Sequence, residues 1–283
     1  MVPNIGRVGV WAMELRFGDA DAIDAAAAEL ESLGYGALWI PGGIDDAVLG
    51  DVDRLLSKTS RIVIGTGIIN IWKQEATDVA AWWKGQSPDR QARVWLGIGI
   101  SHGPIIGADW MKPIAKTRSW LEEAEAAGLP GDALCVAALG PQMMALAGKL
   151  TGGAHPYLVD ASHTATARGM LGPNKVLAPE QGVVLETDPT KARALAREAI
   201  AYYTSLPNYC NNWRRLGYSE EDISTVSDRL IDGIFAWGSA DQIAQRVKAH
   251  HDAGADHVCI QAISGAGLDG ARAAWRELAK VLV

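Results

Sequence analysis

The chain has 283 residues, 48% apolar and 21% charged, the balance of a folded protein able to bury a core without disulfide staples. Acidic side chains outnumber basic ones, 33 to 26, for a formal net charge of −7, and no Lys/Arg run occurs, which sets aside nucleic acid and anionic membrane as partners. The three cysteines, Cys135, Cys210 and Cys259, show neither C-x-x-C nor metal-type spacing; Cys135 and Cys259 lie in apolar runs and read as buried thiols of a reducing, cytoplasmic compartment. No signal peptide is read at Met1–Gly6, and no apolar run approaches the roughly 18 residues of a membrane span.

Short apolar runs alternate with helical patterns along the chain. Val8-Gly9-Val10-Trp11 is the first strand. From Asp21 to Leu33, Ile23, Ala26, Ala27, Leu30 and Leu33 recur at helical spacing, and Gly34 follows as a helix stop. Further strands are predicted at 37–40, 61–67, 93–99, 133–139, 154–159, 180–186 and 256–261. They are continuously apolar, as a parallel sheet covered on both faces requires. Helix starts stand at Asp188-Pro189, at Lys112-Pro113, and at the Ser239–Gln242 capping box. A helix end, a glycine and a strand recur at Leu33–Ile40 and at Ala253–Ile260.

Eight strands with helical crossovers predict an α/β fold, one (β/α)8 TIM barrel over residues 1–283. The stretch between strands seven and eight is too long for one helix. It is expected to hold extra helices, from Thr190, over Glu220–Ile231 and from Ser239, with Leu206–Trp213 as a loop or short helix covering the mouth. An open, doubly wound dinucleotide-binding sheet is the alternative, but Gly97-x-Gly99 lacks a third glycine in place.

Barrel enzymes carry their chemistry at the C-terminal strand ends. That rule selects Pro41, Gly42, Gly43, Asp45 and Asp46 after strand two, and Ile68, Ile69, Asn70 and Trp72 after strand three. It selects Ile100–Gly103 after strand four, Gly140–Met143 after strand five, Asp160, Ser162 and His163 after strand six, and Gln261, Ser264 and Gly265 after strand eight. The glycines from Gly97 to Gly103 let a ligand approach the backbone, or simply make a tight barrel turn. Gly140-Pro141-Gln142-Met143 opens a helix whose free N–H groups suit an anion, as every barrel helix does.

His102 is the candidate for acid/base work, because imidazole titrates near neutrality; a lone histidine in a turn otherwise serves structure, and His155 and His163 carry the same caution. His250, His251 and His257 fall on the opposite, stabilising face. No metal-ligand cluster, Ser-His-Asp order or pair of consecutive strand-end carboxylates appears, so metal: none, and hydrolysis is not expected. Eleven tryptophans suit core packing or a wide pocket.

Arg93–His102 resembles the fourth strand of luciferase-like monooxygenases, after a divergent form of that family's preceding turn at Lys84–Arg90. Gly65–Ile68 is similar to its third strand and Ala138–Ala147 to its fifth strand and helix. Gly153–Tyr157, Leu177–Gln181 and Trp237–Ala240 resemble a subgroup of probable F420-dependent oxidoreductases of actinobacteria, and the resemblance spans essentially the whole chain.

The resemblance implies coenzyme F420, or alternatively FMN, across the barrel mouth, hydride transfer to or from a small-molecule substrate, and a homodimer, for which Trp82, Trp83 and Trp120 on outer helices are candidate contacts. It implies a non-proline cis peptide at Gly67-Ile68 and cofactor contacts from Gly42, Gly43, Gly67, Ile68, Asn70, Gly99, Ser101, Gly140, Pro141, Gln142 and Met143. His102 stands where some F420 dehydrogenases carry a catalytic glutamate. Gly42 and Gly43 depart from the pattern, since those dehydrogenases have Asp-His there; sugar-phosphate chemistry is therefore not expected. An FMN-dependent monooxygenase and a non-catalytic cofactor- or partner-binding barrel are the alternatives.

Overall fold

The computed structural model describes residues 1–43, 45–107, 110 and 112–283. Its strands are β1 Val8–Trp11, β2 Ala37–Gly42, β3 Val63–Asn70, β4 Val94–Gly99, β5 Leu134–Val136, β6 Gly153–Ala154, β7 Val176–Leu177, β8 Glu180–Val184, β9 Ala236–Trp237 and β10 Val258–Ala262. All pair in parallel, in the order β7-β6-β5-β4-β3-β2-β1-β10-β8-β9.

β7, at one end of that order, and β8, next to the other end, are one run of chain. β7 and β8 are separated only by Ala178-Pro179, and proline has no N–H for a ladder. On one side, Ala178 N donates to Ala154 O (2.9 Å) and Glu180 N to Pro156 O (2.8 Å); on the other, Cys259 N donates to Pro179 O (2.9 Å). The sheet therefore closes as an α/β barrel with eight staves, the seventh interrupted at Pro179. That stave begins at Val176, upstream of the predicted 180–186 run, because Pro179 hides its first half in the sequence. β9 is a two-residue addition to β8 that the sequence did not signal.

Helices cover the barrel. Ala20–Leu33 is capped by Asp19, which accepts from Ala22 N at 2.9 Å, and ends at Gly34 with φ 95°. The Ser239 capping box and the Asp188-Pro189 start are present as read. Between β8 and β10 lie five α-helices, Pro189–Ile200, Pro207–Arg215, Glu220–Ser224, Asp228–Ile234 and Ala240–Asp252, with the short 3-10 helix Ala201–Ser205 after the first. The helix expected over Glu220–Ile231 is thus two, because Ser227 turns outward to cap Leu230 N. Pro207–Arg215 is helical and anchored by Trp213, whose indole N–H donates to Leu158 O at 3.2 Å.

Most tryptophan serves the core. Trp39, Trp95, Trp120, Trp213 and Trp275 are fully buried. Trp83 is 7% and Trp120 1% exposed within this chain, and half-buried Trp82 donates to Asp53 Oδ2 at 2.9 Å. Trp83 and Trp120 pack inward against the barrel, and Trp82 stays partly exposed. All three cysteines are buried and free. Among the described residues, no helix is long and apolar enough to cross a membrane, and no three His, Cys, Asp or Glu side chains gather as a metal site.

Candidate functional site

A cavity of about 860 Å³ opens at the C-terminal strand ends, beneath the helix Pro207–Arg215. Its floor combines Trp11 at the end of β1, Gly67 and Ile68 of β3, and Gly99 of β4. The Trp11 indole N–H donates to Gly67 O at 3.1 Å. A Cβ on Gly67 would lie 2.3 Å from that indole nitrogen, and one on Gly99 would lie 2.9 Å from Ile68 Cγ1. Glycine is thus the residue that fits at both positions. The Gly67-Ile68 peptide is cis, where the resemblance implies it.

Ile100, Ser101 and His102 form the β4 wall. The Trp72 indole N–H holds this turn by donating to Ile100 O at 2.9 Å. His102 hydrogen-bonds the Asn208 side chain, and its ring lies 5.7 Å from that of Tyr209 and 6.4 Å from that of Tyr202. Burial pushes the imidazole below its usual pKa, partly offset by the Asn208 bond, and Nδ1 has no protein partner. The ring is therefore a neutral base at neutral pH.

Gly140, Pro141, Gln142 and Met143 line the β5 side. Gly140 is the N-cap of the helix Pro141–Leu150 and offers no capping side chain, so the first N–H groups of that helix stay open to a ligand. Arg215 reaches the same corner: its Nη2 would be 3.7 Å from a Cβ on Gly140, and it donates to Asn212 Oδ1 at 3.2 Å. A helix N-terminus with a guanidinium beside it attracts an anion.

The wall opposite is aromatic. Tyr157, Tyr202, Tyr203 and Tyr209 line it, with successive ring centroids 4.9–6.3 Å apart. Tyr157 donates to Gln261 Oε1 at 2.8 Å, and Tyr203 to Tyr157 at 3.4 Å. Close to these rings Glu180 is fully buried. Burial pushes its carboxyl up to about 8, Oε2 accepts from Leu158 N at 3.1 Å, and Oε1 is unpartnered.

Of the predicted cofactor contacts, Gly43, Gly67, Ile68, Gly99, Ser101 and the 140–143 segment line the cavity together with His102. Gly42 and Asn70 do not. A Cβ on Gly42 would meet Ile68 O at 2.7 Å, so that residue lies behind the wall. Asn70 is buried, donating from Nδ2 to Gly43 O (3.2 Å) and accepting from Trp72 N (3.0 Å); it shapes the wall instead of facing a ligand. Asp45 is held by Arg16, which also donates to Pro41 O at 2.8 Å and Asp51 Oδ2 at 2.7 Å. The guanidinium keeps the Asp45 carboxyl below its usual pKa, which suits a structural anion and not a proton donor.

The sequence reading missed Trp11, the four tyrosines, Asn208, Asn211 and Arg215, and weighed His155 only with the caution due to a structural histidine. Asn208, Tyr209 and Asn211 lie in the 206–213 segment expected to cover the mouth, which was the available signal, and Tyr202, Tyr203 and Arg215 flank it.

No protein-family model matches the chain, and no curated protein does. Solved structures match over nearly the full length. An F420-dependent secondary alcohol dehydrogenase in complex with an F420-acetone adduct superposes with a TM-score of 0.72 at 13% identity, over 98% of each chain. The coenzyme F420-dependent tetrahydromethanopterin reductase from Methanopyrus kandleri does so with a TM-score of 0.73 at 15% identity, over 99% of each. The oxygenating constituent of 3,6-diketocamphane monooxygenase from Pseudomonas putida, in complex with FMN, gives 0.67 at 14%, again over 99% of each. Likeness at these identities establishes the fold, which agrees with the luciferase-like resemblance in the sequence.

Proposed function

We propose that the protein is an oxidoreductase that binds coenzyme F420 and moves a hydride between the deazaflavin and a small organic substrate. One observation carries this: a single cavity joins a glycine-lined floor, open to a flat ring at Gly67, Ile68 and Gly99, to an anion-binding corner at Gly140 and Arg215. A tricyclic ring with a phosphate-bearing tail has that shape and charge. The fold neighbours with F420 in their names, and the sequence motifs, support the same choice.

When bound, the cofactor supplies hydride exchange at its central ring. The chain supplies the rest. The floor orients the ring, and the uncapped helix with Arg215 holds the phosphate. The tyrosine wall keeps water from the reacting centre. His102 takes or returns the substrate proton that accompanies the hydride, its Nδ1 having no partner in the protein. A homodimer belongs to the same reading and rests on the sequence resemblance alone; sedimentation as a monomer at all concentrations rejects it.

Titrating the purified protein with F420 and with FMN, followed by absorbance and fluorescence, tests the proposal. Binding of F420 is expected. Binding of FMN with none of F420 overturns the choice in favour of an FMN-dependent monooxygenase. No binding of either at micromolar concentration leaves a non-catalytic barrel.

A further inference from the structure

His155 takes no part in the chemistry above, yet it lines the cavity and is 2% exposed. Its ring is immobilised. It stacks on Trp39, with centroids 4.4 Å apart and planes 10° from parallel. The Trp39 indole N–H is fixed in turn on His257 Nε2 at 3.3 Å, and His257 Nδ1 lies 3.0 Å from Gly6 O. His155 Nδ1 lies 2.7 Å from Ala178 O. A carbonyl only accepts, so Nδ1 carries the ring hydrogen. Burial pushes the imidazole pKa down to about 4, so the ring holds that one proton at neutral pH. Nε2 is then a bare lone pair.

That lone pair has no partner in the protein, and a Cβ on Gly67 would be 3.2 Å from it. Nε2 therefore lies buried against Gly67, so a donor bound at the Gly67-Ile68 peptide reaches it only by close approach to that glycine. A buried acceptor with nothing to accept from is costly unless something in the cavity supplies a donor.

On the cofactor reading above, we propose that His155 is a positioning residue whose Nε2 accepts a hydrogen bond from an N–H or O–H of the molecule bound against Gly67 and Ile68. Flavin and deazaflavin share two such donors, the N–H of the pyrimidine ring and the hydroxyls of the side chain. A fixed acceptor against Gly67 sets the register of the ring along the cavity, and so where its reactive carbon lies relative to His102. Register of this kind is positioning, with no bond made or broken at His155.

The test uses ¹⁵N-histidine-labelled wild-type protein and the variants His155→Phe and His155→Gln, titrated with F420 and FMN. In the wild type without cofactor, the His155 signals should report the Nδ1–H tautomer. Saturation with whichever cofactor binds should shift Nε2 to a hydrogen-bonded value. His155→Phe keeps the aromatic stack and removes the acceptor, so affinity should fall about tenfold or more. His155→Gln, which retains an acceptor, should recover part of the loss. A 3-methyl FMN, lacking the ring N–H, should bind wild type and His155→Phe equally if the ring is the donor, and should still discriminate them if a hydroxyl is. A cofactor that binds while Nε2 is unmoved, or that binds His155→Phe as it binds wild type, overturns the role of His155 and leaves the functional reading standing. If neither cofactor binds the wild type, both fall together. The NMR signal is read on wild type, so instability of a variant does not decide the outcome.

Discussion

The indole nitrogen of Trp11 donates to the carbonyl oxygen of Gly67 at 3.1 Å, closing the cavity floor between β1 and β3. A methyl group at Gly67 would overlap that nitrogen, its Cβ only 2.3 Å away. Gly67→Ala should therefore lower stability by about 1–3 kcal/mol, as overpacking of a filled site does. Adjacent glycines at the end of β2 make a contrast. A Cβ on Gly42 would meet backbone, Ile68 O, at 2.7 Å, whereas one on Gly43 meets nothing within 4 Å. Gly42→Ala should be destabilising and Gly43→Ala close to neutral in thermal melts. Equal melting temperatures for the two would contradict the placement of the β2 end against Ile68.

Arg215 and the open helix end at Gly140 converge on one corner. If that corner holds a phosphate, Arg215→Gln should weaken binding of the phosphorylated cofactor about tenfold, the range of a charge-assisted hydrogen bond. Riboflavin, which lacks the phosphate, should lose nothing. The wild-type affinity should also fall with added salt more steeply than that of the variant. An identical loss for riboflavin and FMN would place the guanidinium away from the phosphate.

Alternation of apolar runs with helical patterns made the barrel legible, because each stave is covered on both faces and so reads as a continuous run. The strand-end rule then found Ile68, Ser101, His102 and the 140–143 segment, and the resemblance added Gly67 and Gly99, all in the cavity wall. It failed wherever a side chain's partner is remote in sequence. Asn70 looked free to meet a ligand, but its amide is satisfied by Gly43 and Trp72. His155 looked like any structural histidine, since the carbonyl of Ala178 that fixes its tautomer lies 23 residues on. Tyr202, Tyr203 and Arg215 flank the 206–213 segment expected over the mouth, and no local pattern brings them to the cavity. Trp11 was read as part of a strand, with nothing to show that its indole reaches β3.

Glu180 makes stability depend on pH in a defined window. Its carboxyl is fully buried and titrates at about 8 in the folded chain, against 4.5 as the ordinary value. Folding therefore retains a proton that the unfolded chain releases. Stability from this group is complete below pH 4.5 and is lost as pH rises towards 8, by roughly 3–5 kcal/mol at about 1.4 kcal/mol per pKa unit. His155, His250 and His257 work in the other direction. Burial lowers each to about 4, so their contribution is complete above 6.5 and is lost as pH falls. Between pH 6.5 and 8, Glu180 acts without them. Glu180→Gln keeps the shape and an acceptor for Leu158 N. Its unfolding free energy in denaturant should be flatter than wild type across that interval; parallel curves would refute the buried neutral carboxyl.

His102 and Asn208 join the β4 turn to the helix over the mouth, and this contact separates a catalytic from a bracing histidine. Burial holds the imidazole below 6.5, and the Asn208 bond pulls it back up. A neutral ring is the proton-accepting form, so turnover that uses it should fall as pH drops through that lowered pKa. His102→Gln retains a hydrogen-bonding group but cannot titrate. Its turnover should fall by about 10²- to 10⁴-fold, with cofactor affinity nearly unchanged, and the acidic limb of the pH profile should vanish. Asn208→Ala removes the interaction that raises the pKa, so the same limb should move to lower pH while turnover on the plateau persists. If His102 only ties the turn to the helix, the pattern differs. Both variants should then melt at lower temperature, retain the wild-type pH profile, and turn over at near wild-type rates wherever they are folded.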